Sequence, residues 1–183
     1  MSDKYFIDAN ELLLDSYKLA RKVLDSEFRP NFLVGIWRGG TPIGIAVQDF
    51  LDYHHIKTDH IAIRTSRYTG IEKISEKIDV YGLDYIVDRA NAEDRLLLID
   101  DVFDRGLTMN AIREKLEFKM RRNLPTIKIG TVYYKPTRNE TKIIPDFYIH
   151  EIDKWLVFPH ELDGLTLEEI RKGKGKEIYA LLR

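Results

Sequence analysis

The stretch Leu96-Leu97-Leu98-Ile99-Asp100-Asp101-Val102-Phe103-Asp104-Arg105-Gly106-Leu107-Thr108 changes character halfway. Four apolar residues run into two adjacent aspartates, and after two more apolar residues comes a third, followed by Arg-Gly-Leu-Thr. Carboxylates this close repel one another and serve no packing purpose, so an external group must need them. Paired carboxylates accept hydrogen bonds from vicinal hydroxyls or hold a divalent cation through oxygen, which suits a sugar phosphate. A tight turn onto a helix exposes backbone N–H groups, and the helix dipole adds about half a positive charge there. A phosphate then sits against residues 104–108, with the Thr108 hydroxyl as an added donor. Asp100 and Asp101 lie beside it, and Asp104 faces whatever is attached to the sugar.

A helix-capping acidic turn explains one aspartate, not three. A phospho-receiver, which also uses paired aspartates after a strand, stays open, although the Gly-Leu-Thr tail favours phosphate binding over phosphate acceptance. A Walker phosphate loop is excluded, because no G-x-x-x-x-G-K-[ST] occurs in the chain.

Two further constellations carry chemistry. Trp37-Arg38-Gly39-Gly40 lies between an apolar run and a helix start, and its two glycines let backbone approach an anion closely. Near the C-terminus, Tyr134-Lys135-Pro136 ends one strand, and a later segment holds Asp153-Lys154-Trp155-Leu156-Val157-Phe158-Pro159. A planar base needs an aromatic face and a few edge donors, which such segments can supply.

These groups must be held by regular elements. Residues 10–24 place Leu13, Tyr17, Ala20 and Leu24 on one helical face, with Leu12, Leu19 and Val23 beside them. Residues 32–36 read as a short buried strand, and Thr41 as the N-cap of a helix that starts at Pro42 and runs to Asp52. Strands are expected at 56–65, 96–100, 127–134 and 147–149, and helices at 108–121, 166–172 and 176–182. Ser66 to about Ala92 is polar and reads as partly mobile. Strands alternating with helices predict an α/β fold with a mostly parallel, twisted sheet flanked by helices. In such sheets ligands bind beyond the carboxyl ends of the strands, where the aspartates lie.

The 183 residues suit one domain, and 44% apolar residues support a substantial core. A formal charge of −1 gives no global attraction to nucleic acid or acidic membranes, so any basic site is local. With no cysteine, disulfides, thiolate metal sites and a cysteine nucleophile are excluded. The acidic N-terminal segment does not resemble a signal peptide and no apolar run approaches a membrane span, so a cytoplasmic protein is expected. His54, His55 and His60 lack a usual zinc spacing, and His160-Glu161 lacks the second histidine of a zincin motif. Asn139-Glu140-Thr141 matches a glycosylation sequon that a cytoplasmic chain does not use, and Lys172 to Lys176 read as a solvated linker.

The stretch from Leu96 to Thr108 resembles the phosphoribosyl-diphosphate (PRPP) motif of type I phosphoribosyltransferases: a hydrophobic strand, two acids, two apolar residues, then usually Asp-Thr-Gly-x-Thr. Here Arg105 stands where Thr is usual. Arg38-Gly39-Gly40 resembles the family's pyrophosphate loop, and Lys-Pro followed by Trp-apolar-x-x-Pro resembles the hood of its 6-oxopurine branch. The resemblance implies one domain over 1–183, with a core at about 25–135 and a small hood from the N-terminal helix and about 136–165. It implies transfer of phosphoribosyl from PRPP to hypoxanthine, guanine or xanthine, with Mg²⁺ as cofactor, no nucleic-acid partner, and a homodimer or homotetramer.

Implied PRPP contacts are Arg38, Gly39, Gly40, Asp100, Asp101, Asp104, Arg105, Gly106, Leu107 and Thr108, with Asp104 catalytic. Lys135 would donate to the base O6, Trp155 would stack, and backbone at Leu156 would read the C2 edge. Asp101 and Glu161 are the implied metal ligands. The region 66–78, with Arg67, Tyr68 and Lys73, matches the family's mobile loop in position. Competing readings are a PRPP-sensing regulator without catalysis, or transfer to adenine or a pyrimidine.

Overall fold

Leu96, Leu97, Leu98 and Ile99 have no solvent-accessible surface, and the main sheet is built around them. The computed structural model describes residues 4–68 and 77–183. Along the chain these form β1 (Lys4–Phe6), α1 (Ala9–Asp25), β2 (Phe32–Trp37), α2 (Gly40–Tyr53), β3 (Asp59–Tyr68), β4 (Lys77–Tyr81), α3 (Asp84–Arg89), β5 (Arg95–Phe103), α4 (Leu107–Met120), β6 (Thr126–Tyr134), β7 (Phe147–Glu151), β8 (Trp155–Val157), α5 (Leu167–Gly173) and α6 (Lys176–Leu181). Two compact units result, Leu13–Asp153 and Met1–Leu12 with Lys154–Arg183.

The larger unit holds a six-stranded sheet of order β4-β3-β2-β5-β6-β7. All its pairs are parallel except β3 with β4. From β2 the chain crosses through α2 to β3 on one side, and from β5 it crosses through α4 to β6 on the other. The order therefore reverses between β2 and β5, where an open α/β sheet leaves a crevice.

A strand buried on both faces reads as an unbroken apolar run, as Leu96–Ile99 does. One face of the sheet carries Val34, Ile36, Ile63, Leu96 and Leu98 against Ile86 of α3 and Met109, Ile112 and Leu116 of α4. On the other, Leu33 meets α2 at Gly44, and Ile99 meets α1 at Leu19 beside Gly130. Each such side chain contributes about 1.5–3 kcal/mol by burial.

The buried stripe of α1 is Leu12, Leu19, Ala20 and Val23, so Ala20 of the expected face and the three residues beside it point inward, whereas Leu13 is 46% exposed and the stripe is centred away from it. Asp15 and Ser16 are buried on the inward side. The Asp15 carboxylate receives His150 Nε2 at 2.6 Å and Lys18 Nζ at 2.7 Å, which is what permits an acid there.

Other boundaries shift for local reasons. Thr41 does not cap α2; its hydroxyl donates to the Arg38 carbonyl at 2.7 Å, and the helix starts earlier, at Gly40. The third strand lies three residues later than expected, at Asp59–Tyr68, and β4 and α3 occupy part of the stretch read as polar. There Val80, Leu83, Ile86 and Ala90 enter the core at wide spacing, too sparse to read as a pattern. Residues 69–76, with Lys73, lie outside the described residues.

In the smaller unit, β1 and β8 form a parallel pair in the register Lys4↔Trp155, Tyr5↔Leu156 and Phe6↔Val157. Thr166 and Glu169 form a reciprocal capping box at the start of α5. Lys4 Nζ donates to Glu169 at 2.7 Å, and with the Thr166 N–H it holds the Glu169 carboxyl down to about 2. Gly173 lies so close to Phe6 that a Cβ would overlap the ring. Among the described residues, no helix is long and apolar enough to cross a membrane.

Candidate active site at the strand ends

Where β5 leaves the core, Asp100 and Asp101 emerge at the crevice between β2 and β5. Each carboxylate is fixed from its own backbone: Asp100 Oδ1 accepts the Asp101 N–H at 3.0 Å, and Asp101 Oδ1 accepts the Val102 N–H at 2.7 Å. Removal from water, and then the like charge of Asp101, push the Asp100 pKa well above the ordinary aspartate value.

The loop after β2 lies directly against them. A Cβ on Gly39 would overlap the Asp101 carboxylate, and one on Gly40 would overlap the Ile99 carbonyl. Only glycine allows this approach, so the two glycines join the Arg38 loop to the end of β5. The Trp37–Arg38 peptide is cis, and the Arg38 side chain is exposed.

Beyond Phe103 the chain turns through Gly106, whose φ of 78° is the left-handed conformation that glycine adopts freely, and enters α4. No side chain caps the N-terminus of α4 or of α2, and neither first turn contains an acid. Two helices thus present bare N–H groups and positive dipole ends from adjacent strand ends. A cavity of about 230 Å³ is lined by residues from Asp100 to Met109. Gly106, Leu107 and Thr108 all contribute to its wall.

Asp104 stands on this wall between two cations. Arg138 Nε is 2.9 Å from Oδ1, and Lys135 Nζ is 3.9 Å from Oδ2. Arg138 is near enough for charge pairing but is out of line for a hydrogen bond, so the enclosed Oδ1 accepts none. Burial lowers the Lys135 pKa, and Asp104 partly opposes that shift. The Lys135 N–H donates to the Phe103 carbonyl at 2.9 Å, which ties the end of β6 to the end of β5.

Arg105 does not reach toward the cavity alone. Its Nε and Nη2 meet the two Glu140 oxygens at 2.6 and 2.8 Å. Arg138 and Glu140 escaped the sequence reading, in which Glu140 figured only in a discounted sequon. The available signal was positional: if β6 adjoins β5, residues 135–141 must run beside residues 103–106.

The remaining expected residues belong to the smaller unit or to the hairpin of β3 and β4. Trp155 is 59% exposed at the start of β8, and Leu156 is buried opposite Tyr5. Glu161 closes a turn, accepting the Phe158 N–H at 3.0 Å while its own N–H donates to the Phe158 carbonyl. Arg67 and Tyr68 pair in backbone register with Ile78 and Lys77. Among the described residues, no group of three or more His, Cys, Asp or Glu side chains gathers as a metal site. Asp100 and Asp101 nonetheless form an oxygen-only pair with excess negative charge, which fits a hard divalent cation that keeps waters and substrate oxygens as its other ligands.

No family model matches the chain. The chain is similar to the hypoxanthine-guanine phosphoribosyltransferase of Lactococcus lactis, 28% identical over 147 residues, covering 79% of this chain and 74% of that one. It is 26% identical over 160 residues to the xanthine-guanine phosphoribosyltransferase of Idiomarina loihiensis, covering 87% and 88%. The crystal structure of a purine phosphoribosyltransferase from Pyrococcus horikoshii superposes with a TM-score of 0.71 at 25% identity, over 90% of this chain and 98% of that one.

The Asp100 shift has a consequence for stability. A folded-state pKa above the unfolded one means that the folded protein holds the proton more tightly, so its contribution is lost as pH rises from the ordinary aspartate range through the elevated value. Burial of Asp100 beside Asp101 thus opposes folding once the Asp100 proton is lost. Asp100→Asn, which keeps the shape and the acceptor oxygen, should raise the thermal midpoint of the free protein at pH 7 by about 2–4 °C. A midpoint that is unchanged or lower would show that the two carboxylates do not oppose folding.

Proposed function

We infer that the chain, as a member of the 6-oxopurine branch of the type I phosphoribosyltransferases, transfers the 5-phosphoribosyl group from PRPP to hypoxanthine, guanine or xanthine and so serves purine salvage. The observation that carries this reading is the contact of Gly39 and Gly40 with the end of β5, which brings two anion-suited loops and a carboxylate pair to one crevice.

The purine N9 attacks the anomeric carbon, the bond to pyrophosphate breaks, and pyrophosphate leaves with the electron pair. Charge builds on the leaving group and oxocarbenium character on the ribose. The Arg38 side chain, the Gly39-Gly40 backbone and the α2 N-terminus hold the leaving pyrophosphate, which in such reactions is the largest stabilising contribution. N–H groups of residues 105–108 and the Thr108 hydroxyl hold the 5′-phosphate. Asp100 and Asp101 accept the ribose hydroxyls. Mg²⁺ would be held by Asp101, with Asp100 beside it, and would supply counter-charge to pyrophosphate and ribose oxygens. Glu161 remains a proposed metal-facing acid.

Asp104 receives the proton of the base. Its Oδ1 lacks a donor, and an N7–H would satisfy it. Lys135 donates to the base O6, Trp155 stacks on the purine, and Leu156 offers backbone to the C2 edge. The same reading carries a homodimer or homotetramer in the cytoplasm.

The direct test is a chromatographic assay with PRPP, Mg²⁺ and each of hypoxanthine, guanine, xanthine, adenine and uracil. Nucleotide should form from at least one oxopurine and from neither adenine nor uracil. No nucleotide from any base would overturn the transferase reading. Asp104→Asn should lower turnover by about 10²–10⁴-fold, the range of general acid–base contributions, with PRPP affinity changed far less. An undiminished rate removes Asp104 from the chemistry. Trp155→Ala should raise the KM for the base about tenfold, as expected for loss of a stacking contact worth ~1–1.5 kcal/mol. Loss of PRPP affinity instead would make Trp155 structural.

A further inference from the structure

We propose that Glu140 is a positioning residue for the phosphate-binding turn, acting through Arg105. The inference rests on the reading of residues 105–108 as the 5′-phosphate site.

Residue 105 is gripped twice by residue 140. The guanidinium meets both carboxylate oxygens, at 2.6 and 2.8 Å, and the Glu140 N–H donates to the Arg105 carbonyl at 3.0 Å. A two-point pair of this kind fixes direction as well as distance. Glu140 is itself held by its neighbours. Asn139 Oδ1 accepts both the N–H and the hydroxyl of Thr141 at 2.9 Å, and Asn139 Nδ2 donates to the Ile143 carbonyl at 2.8 Å. Thr141 Oγ1 then occupies the space that a side chain at residue 106 would fill, against the left-handed Gly106. Side chain, main chain and steric contact all converge on the two residues that open the turn.

The charges give the arrangement its sense. A guanidinium committed to a carboxylate brings little net charge to a phosphate, and an unpaired Glu140 beside the phosphate would repel it. The pair cancels both effects and leaves geometry: it holds the N–H groups that follow Arg105 in the orientation that the phosphate needs. A hydroxyl at position 105 would contact the phosphate itself, whereas Arg105 reaches away to Glu140, so the contribution of this position is indirect.

Arg105→Ala, Glu140→Ala and the double variant, titrated calorimetrically with PRPP and Mg²⁺, separate the roles. Each single variant should weaken PRPP about threefold to tenfold, and the double variant should be no weaker than either single, since both remove one coupled contact. The KM for the purine should stay unchanged. If Arg105→Ala weakens PRPP while Glu140→Ala leaves it unchanged or tightens it, Arg105 contacts the phosphate directly and the proposal fails. If the thermal midpoint falls with PRPP affinity intact, the pair is merely structural and the proposal fails as well. A wild-type protein that binds no PRPP would overturn the phosphate-site reading itself, and the positioning role with it.

Discussion

The repulsion between Asp100 and Asp101 at the end of a fully buried strand is the constraint on which the site depends. The strand cannot slide to relieve it, because Leu96 to Ile99 are locked on both faces by helices. Water cannot fully relieve it either, because Gly39 and Gly40 press onto the strand end from the neighbouring loop. The protein therefore holds an electrostatic cost at a fixed place, as functional sites commonly do. A ligand with hydroxyls and a cation cancels that cost, so part of the affinity for such a ligand is prepared in the free protein.

Opposite charge is supplied from separate directions. Two uncapped helix N-termini begin at the ends of β2 and β5, with Arg38 beside the first. Lys135 and Arg138 approach from the end of β6. In the proposed reading, anionic groups take the helix starts, while hydroxyls and a cation take the strand-end carboxylates. Sorting of this kind would let a chain of net charge −1 hold the proposed pyrophosphate donor without a basic surface.

Much of this was legible because it is local in the chain. An apolar run ending in two acids and a Gly-x-Thr specifies a strand, a candidate site and a helix start within thirteen residues, and Arg38-Gly39-Gly40 does the same on a smaller scale. What escaped depends on neighbours distant in sequence. Arg138 and Glu140 gain meaning only once β6 lies beside β5. The pairing of β1 with β8 joins two three-residue strands about 150 residues apart, too short for any periodicity to register. The face of α1 turned on Asp15, an acid that sequence alone assigns to solvent and that His150 and Lys18 draw into the core. Thr41 looked like a cap because its type favours one, but the Arg38 carbonyl claimed its hydroxyl and left the helix start bare.

That bare start and the state of Asp104 share one logic. A capping side chain would satisfy the α2 N–H groups and close them to an anion. In the same way, an in-line Arg138 would satisfy Asp104 Oδ1 and close it to a base. At 2.9 Å but out of line, Arg138 supplies charge without taking the Oδ1 lone pair. Under the proposed transfer to a purine, an incoming N–H would fill that place, and Asp104 would then select the reacting edge of the base rather than its hydrophobic face.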